Sequence, residues 1–136
     1  MATKVLDSWA LIAFFADEPA AEQVENLLVK AEAGTHKLLL SVVNWGEIYY
    51  STMRRVSMEA AEQKAREIAG LTIEIVGVDE KNLDLVRQAA IYKATKRLSY
   101  ADAFAAALTK IRSAELVTGD HEFKQVEDEI GINWLR

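Results

Sequence analysis

Four acidic residues occupy positions from which they could hold a cation: Asp7, Glu47, Asp102 and Asp120. Asp7 ends the aliphatic run Val5-Leu6, Glu47 closes the stretch from Ser41 to Gly46, Asp102 comes three residues after Ser99, and Asp120 comes two residues after Thr118. Carboxylates gathered at one place repel one another unless a cation lies between them. An all-oxygen ligand set suits Mg2+ or Mn2+ better than Zn2+. A divalent ion held in this way generates a nucleophile from water near neutral pH and stabilises charge building on a phosphate.

The elements that must position these acids can be read from periodicity. Lys4 to Asp7 reads as a short strand, after which Ser8 caps a helical turn through Phe14. Val24, Leu27, Leu28 and Ala31 recur at helical spacing, giving a helix from about Pro19 to a stop near Gly34. Leu38 to Leu40 is a strand, Ser41 caps a helix carrying Trp45, Ile48, Tyr49 and Met53, and a further helix runs from Ser57 to about Gly70. Thr72 to Val78 is rich in β-branched residues and predicts a strand. Asp79 opens a helix through Lys93 with Leu83, Val86 and Ala90 as its inner face; Ser99 opens another. Glu115–Thr118 and Ile132–Leu135 are the last strands. Strands separated by helices of this length predict a three-layer α/β/α sandwich with a mainly parallel central sheet, because parallel neighbours need long crossovers. In such folds ligands bind beyond the carboxyl ends of the strands, where all four acids fall.

The surroundings of Asp102 sharpen the point. Ala101 and Ala103 to Leu108 make its helix apolar almost all round, which predicts burial. An acid at the start of a buried helix must be capped, paired or bound to a cation. Singly, each acid also has an ordinary explanation. Asp102 and Ser99 resemble a capping box, Asp120 could cap a helical turn, Glu47 could be solvated, and Asp7 could receive backbone donors. Together, four acids at one end of one sheet favour the metal site.

Composition sets the limits. A chain of 136 residues, 51% hydrophobic and 27% charged, predicts one globular domain over residues 1–136. The absence of cysteine rules out disulfides and thiolate chemistry and fits a cytoplasmic location. Trp9 to Ala16 is apolar, but it has the flanks of neither a signal peptide nor the ~20 residues of a membrane span, so the expectation is a protein without membrane association. The net charge of −5 disfavours a nucleic-acid partner at first sight, yet four acids in a metal site account for most of it. Arg54 with Arg55, Lys93 with Lys96 and Arg97, and Lys110 with Arg112 form basic clusters; each alone reads as a solvated helix end.

Four segments carry a family resemblance. Val5-Leu6-Asp7-Ser8, Leu40 to Glu47, Leu98-Ser99-Tyr100-Ala101-Asp102-Ala103, and Leu116-Val117-Thr118-Gly119-Asp120-His121-Glu122-Phe123 resemble the acidic motifs of the PIN-domain nucleases. At this length the chain is similar to the toxins of VapBC-type toxin–antitoxin pairs. The resemblance implies that Asp7, Glu47, Asp102 and Asp120 are catalytic metal ligands, that Thr118 supports the site, and that Glu122 is an auxiliary ligand reaching the metal through water, since many relatives place Asp there. It implies a Mg2+- or Mn2+-dependent endoribonuclease whose products carry a 5′-phosphate and a 3′-hydroxyl. It further implies RNA as substrate, a homodimer, and a cognate antitoxin whose tail occupies a groove near the acids.

Three rivals remain. A metal-free ribonuclease would use histidine, but His36 falls in a turn after Gly34 and His121 beside Asp120, both reading as partly exposed. An aspartyl phosphatase would need a second Asp two residues after Asp7, where Trp9 stands. A non-catalytic protein-binding module of the same fold would use its aromatics at an interface; the preferred reading of Trp9, Phe14 and Trp45 is instead that they fill the core.

Overall fold

The computed structural model describes residues Met1 to Arg136. Strands β1 (Ala2–Leu6), β2 (His36–Ser41), β3 (Glu74–Val76), β4 (Glu115–Thr118) and β5 (Gly131–Trp134) alternate with helices α1 (Ser8–Phe15), α2 (Ala21–Glu32), α3 (Val42–Arg55), α4 (Met58–Ala69), α5 (Leu83–Thr95) and α6 (Tyr100–Ile111). The strands form one sheet in the order β3-β2-β1-β4-β5, with every pairing parallel. Helices cover both faces, so the expected α/β/α sandwich is present with a wholly parallel sheet.

Strand alternation assigns the two cores. Val5 lies beside Leu39 and Leu116 in register, and these side chains meet α5 and α6 on one face. Leu6 lies beside Leu40 and Val117, and these meet α1, α2, Ile48 of α3 and Ile68 of α4 on the other. Both faces are buried, which is why the strands read as continuous aliphatic runs. Ala103 to Thr109 of α6 are all buried, as the apolar circumference of that helix predicts. Trp9, Phe14 and Trp45 pack against the second core, as expected of core-filling residues, and lie half-buried at its margin.

Several local expectations are corrected. The cap of α1 is Asp7, whose side chain accepts from the Ala10 N–H; Ser8 is the first helical residue and turns inward. His36 opens β2 instead of lying in a turn, because the parallel register pairs it with Ala2. The strand expected over 72–78 is only Glu74–Val76, the length over which β2 offers pairing partners. Asp79 caps a short 3-10 turn, Glu80–Asn82, and α5 begins after it. The inner face of α5 is Leu85, Ala89 and Tyr92, while Leu83 and Ala90 are exposed and Val86 is half-buried. This helix carries two apolar stripes, and docking on α6 buries the one holding Tyr92, whose hydroxyl reaches Glu129 at 3.2 Å.

Candidate metal centre

The chain leaves β1 towards β2 and β3 on one side of the sheet, and the later strands β4 and β5 lie on the other. Neighbouring β1 and β4 therefore form the topological switch point, where the following segments part and leave a crevice. Asp7 stands immediately after β1, and Thr118 is the last residue of β4. The Thr118 hydroxyl donates to Asp7 Oδ2 at 2.5 Å and accepts from the Asp120 N–H at 3.0 Å. One side chain thus fixes both acidic segments across the crevice. Asp120 in turn accepts from the Glu122 N–H at 3.0 Å and caps a 3-10 helix, His121–Val126, that buries Phe123 and Val126.

The remaining acids arrive from the helices. Ser99 caps α6 by accepting from the Asp102 N–H at 3.1 Å, leaving the Asp102 carboxyl half-buried in the first turn. Ser41 caps α3 and accepts from the Val43 N–H at 3.1 Å, with Glu47 farther along the same helix. Carboxylate oxygens of Asp102, Asp120 and Glu122 all lie within 4.8 Å of one another. Glu47, Asp102 and Asp120 line one cleft together with Ser8, Trp9, Tyr50, Ser51 and Arg55. Asp7 sits behind this group, 1% exposed. The structure thus brings Glu47, Asp102 and Asp120 to one cleft, sets the Glu122 carboxylate beside Asp102 and Asp120, and buries Asp7 within reach of the charges of both aspartates. It also realises the ordinary local roles of Asp7 and Asp120 as caps: Asp7 Oδ1 accepts from the Ala10 N–H while Oδ2 accepts from Thr118, and Asp120 uses only Oδ1 for its cap.

Electrostatics follow from this crowding. Burial pushes Asp7 from its ordinary 3.8 up to about 8; the hydrogen bonds from Thr118 and Ala10 oppose the rise, and the charges of Asp102 and Asp120 add to it. Asp102 rises to about 7 through burial, then through the neighbouring charges of Glu47 and Asp120. None of the seven ion pairs in the molecule involves Asp7, Glu47, Asp102, Asp120 or Glu122. Glu47 also keeps Oε1 buried without a hydrogen-bond partner. Carboxyl oxygens without a counter-charge, one of them an orphan, are the donor set a hard divalent cation requires. The residues present fit Mg2+ or Mn2+.

Three further residues belong to this region: Ser51, which was not singled out from sequence, Arg55, which read there as part of a solvated helix end, and Asn44, which stood there only within the Leu40 to Glu47 segment. Asn44 is fully buried and bonds to segments on both sides of it. Ser51 and Arg55 continue the Glu47 stripe of α3 at helical spacing into the cleft. That i, i+4, i+8 spacing from Glu47 is the signal that could have found them. Trp9 lays its indole over Gly119, where a Cβ would fall 2.3 Å from its Cη2.

The comparisons agree with this geometry. Among solved structures, VapBC2 of Rickettsia felis bound to a promoter DNA fragment superposes with a TM-score of 0.73 at 15% identity, covering 98% of this chain and 99% of that one. DNA-bound VapBC of Salmonella typhimurium gives 0.71 at 16% identity, covering 98% of each chain. A Mycobacterium tuberculosis VapC toxin that cleaves the sarcin-ricin loop gives 0.66 at 17% identity, covering 90% of this chain and 94% of that one. No curated protein matches the sequence. At these identities the structures speak for the fold. The sequence itself matches the PIN domain over residues 4–129, a span that holds every acid of the cleft, and the chain therefore belongs to the PIN-domain family of nucleases.

Proposed function

We propose that this protein is a Mg2+- or Mn2+-dependent endoribonuclease acting as the toxin of a toxin–antitoxin pair. The observation that carries this reading is the convergence of Asp102, Asp120 and Glu122 within 4.8 Å, beside Glu47 and above buried Asp7, with no cationic side chain paired to any of them. Asp7, Glu47, Asp102 and Asp120 hold the metal, and Glu122 assists. When bound, the ion supplies an activated water and stabilises charge on the phosphate. Thr118 keeps Asp7 and Asp120 at fixed separation through its two hydrogen bonds. Arg55, free of any ion pair and lining the cleft, offers a guanidinium to a phosphate oxygen.

RNA as the substrate is supported by the fold shared with a toxin that cleaves the sarcin-ricin loop. An antitoxin partner is supported by fold neighbours that are toxin–antitoxin complexes and by an apolar groove beside the cleft. That groove is lined by Ile12, Phe15, Ile48 and Val56, and it meets the acidic cleft at Ile12, Ser51 and Arg55. A protein segment lying there would reach the acids. A homodimer in the cytoplasm completes the reading. No helix is long and apolar enough to cross a membrane. The same groove also favours a second reading, a non-catalytic protein-binding module.

Cleavage of a purified RNA in Mg2+, in Mn2+ and in excess EDTA separates the two. Metal-dependent products with 5′-phosphate and 3′-hydroxyl ends, lost in Asp102→Asn with antitoxin binding retained, support the nuclease. Cleavage that persists in EDTA, or 2′,3′-cyclic phosphate ends, would overturn it. An inert chain that still binds a partner in the groove would leave the binding module.

A further inference from the structure

Asn44 lies on one of the segments that carry the acids and bonds to two others. It lies in the first turn of α3 with 0% exposure, where an amphipathic helix ordinarily presents an aliphatic side chain. Its Nδ2 donates to Ser8 Oγ at 3.2 Å and to the Ala101 carbonyl at 3.2 Å, and Ser8 Oγ donates back to the Asn44 carbonyl at 3.3 Å. Ser8 directly follows Asp7, Ala101 directly precedes Asp102, and Glu47 lies one turn further along α3. A single amide group thus ties the chain beside Asp7 and the chain beside Asp102 to the turn that leads to Glu47.

The residue type follows from this arrangement. The Ala101 carbonyl can only accept, so Nδ2 must face it, and a flipped amide would set two acceptors against each other. Two N–H donors on one short side chain are needed to reach both Ser8 and Ala101. Aspartate has the shape without the donors, and serine has one. Asn44 Oδ1 meanwhile has no partner in a place sealed from solvent, a feature that weakens a core relative to an aliphatic residue of equal size. Stability alone therefore does not account for an asparagine here.

We propose that Asn44 is a positioning residue that sets the mutual placement of Asp7, Glu47 and Asp102. This role presupposes the metal-dependent nuclease of the preceding subsection. Support around metal ligands governs affinity and activity because a ligand slightly out of place loses most of its bond.

Asn44→Leu tests it, since leucine keeps the branched side-chain shape and removes both the donors and the orphan acceptor. The full-length variant is compared with wild type for thermal midpoint, for Mn2+ affinity by titration calorimetry, and for kcat and KM on an RNA oligonucleotide at saturating Mn2+. The expected result is a midpoint close to wild type, Mn2+ affinity weaker by about 10–100-fold and kcat lower by a similar factor, with KM for RNA unchanged. Asn44→Ser retains one donor and falls between the two, and it takes over the test if the leucine variant does not fold. A folded variant with wild-type Mn2+ affinity and kcat overturns the role of Asn44 while leaving the nuclease intact. Wild-type protein that neither binds Mn2+ nor cleaves RNA removes the nuclease reading, and this role with it.

Discussion

The indole of Trp9 occupies the space a side chain at position 119 would need: a Cβ there would lie 2.3, 2.5 and 2.7 Å from Cη2, Cζ3 and Cζ2. Gly119 separates Thr118 from Asp120, so this packing presses α1 against the turn that carries one of the acids. A rigid indole cannot yield as a flexible side-chain end would.

Gly119→Ala is accordingly expected to lower stability by about 1–3 kcal/mol through overpacking and to reduce cleavage by displacing Asp120. Adding Trp9→Ala opens the space, so the double variant should be more stable than the two single changes predict when summed. Denaturant unfolding of the four proteins measures that coupling. Strict additivity would contradict the packing.

Asp7 predicts a pH-dependent stability of the metal-free protein. Its carboxyl rises from 3.8 to about 8 in the fold through burial. Between those values the unfolded chain releases a proton that the fold retains, so stability is fully present below about 4 and falls as pH rises towards 8. Asp7→Asn removes this dependence. In EDTA its melting temperature should exceed that of wild type at pH 8 by several degrees and converge with it near pH 4. Parallel curves across that range would show that Asp7 does not titrate as described.

Thr118→Val keeps the shape of a fully buried residue and removes its hydroxyl. Asp7 Oδ2 loses its donor and the Asp120 N–H loses its acceptor, for an expected loss of about 1–3 kcal/mol. Metal affinity should weaken as well, because Asp7 and Asp120 are no longer held together. Thermal melts with and without Mn2+ check both, and an unchanged metal-induced shift would speak against the linking role.

Glu122 is exposed, and its carboxylate lies near Asp102 and Asp120. Glu122→Gln should leave the fold intact, since only the backbone N–H of this residue bonds to Asp120. It should cost about tenfold in metal affinity, well below the loss from Asp120→Asn. Calorimetric titration of both variants ranks them, and equal losses would make Glu122 a full ligand.

Val56 is 72% exposed on the rim of the apolar groove. Val56→Glu should weaken antitoxin binding while cleavage by the free protein is unchanged, because it lies outside the acidic cleft. Binding and cleavage measured on the same preparation test this, and retained affinity would move the partner elsewhere.

Much of the architecture was legible in the residue order because it depends on neighbours a few positions apart. The aliphatic strands, the Ser41 and Ser99 caps, the alanine belt of α6 and the placement of Asp7, Glu47, Asp102 and Asp120 beyond strand ends all follow from short-range pattern. Tertiary packing decided the rest. The order that puts β1 next to β4 brings Thr118 to Asp7 across 111 positions, and the same approach makes Asp7 a buried acid. Docking on α6 chose which stripe of α5 turned inward. The indole over Gly119 and the three-way bonding of Asn44 likewise come from segments far apart in the chain. Periodicity and capping express local geometry, whereas burial depth and charge crowding exist only once distant segments share the same volume.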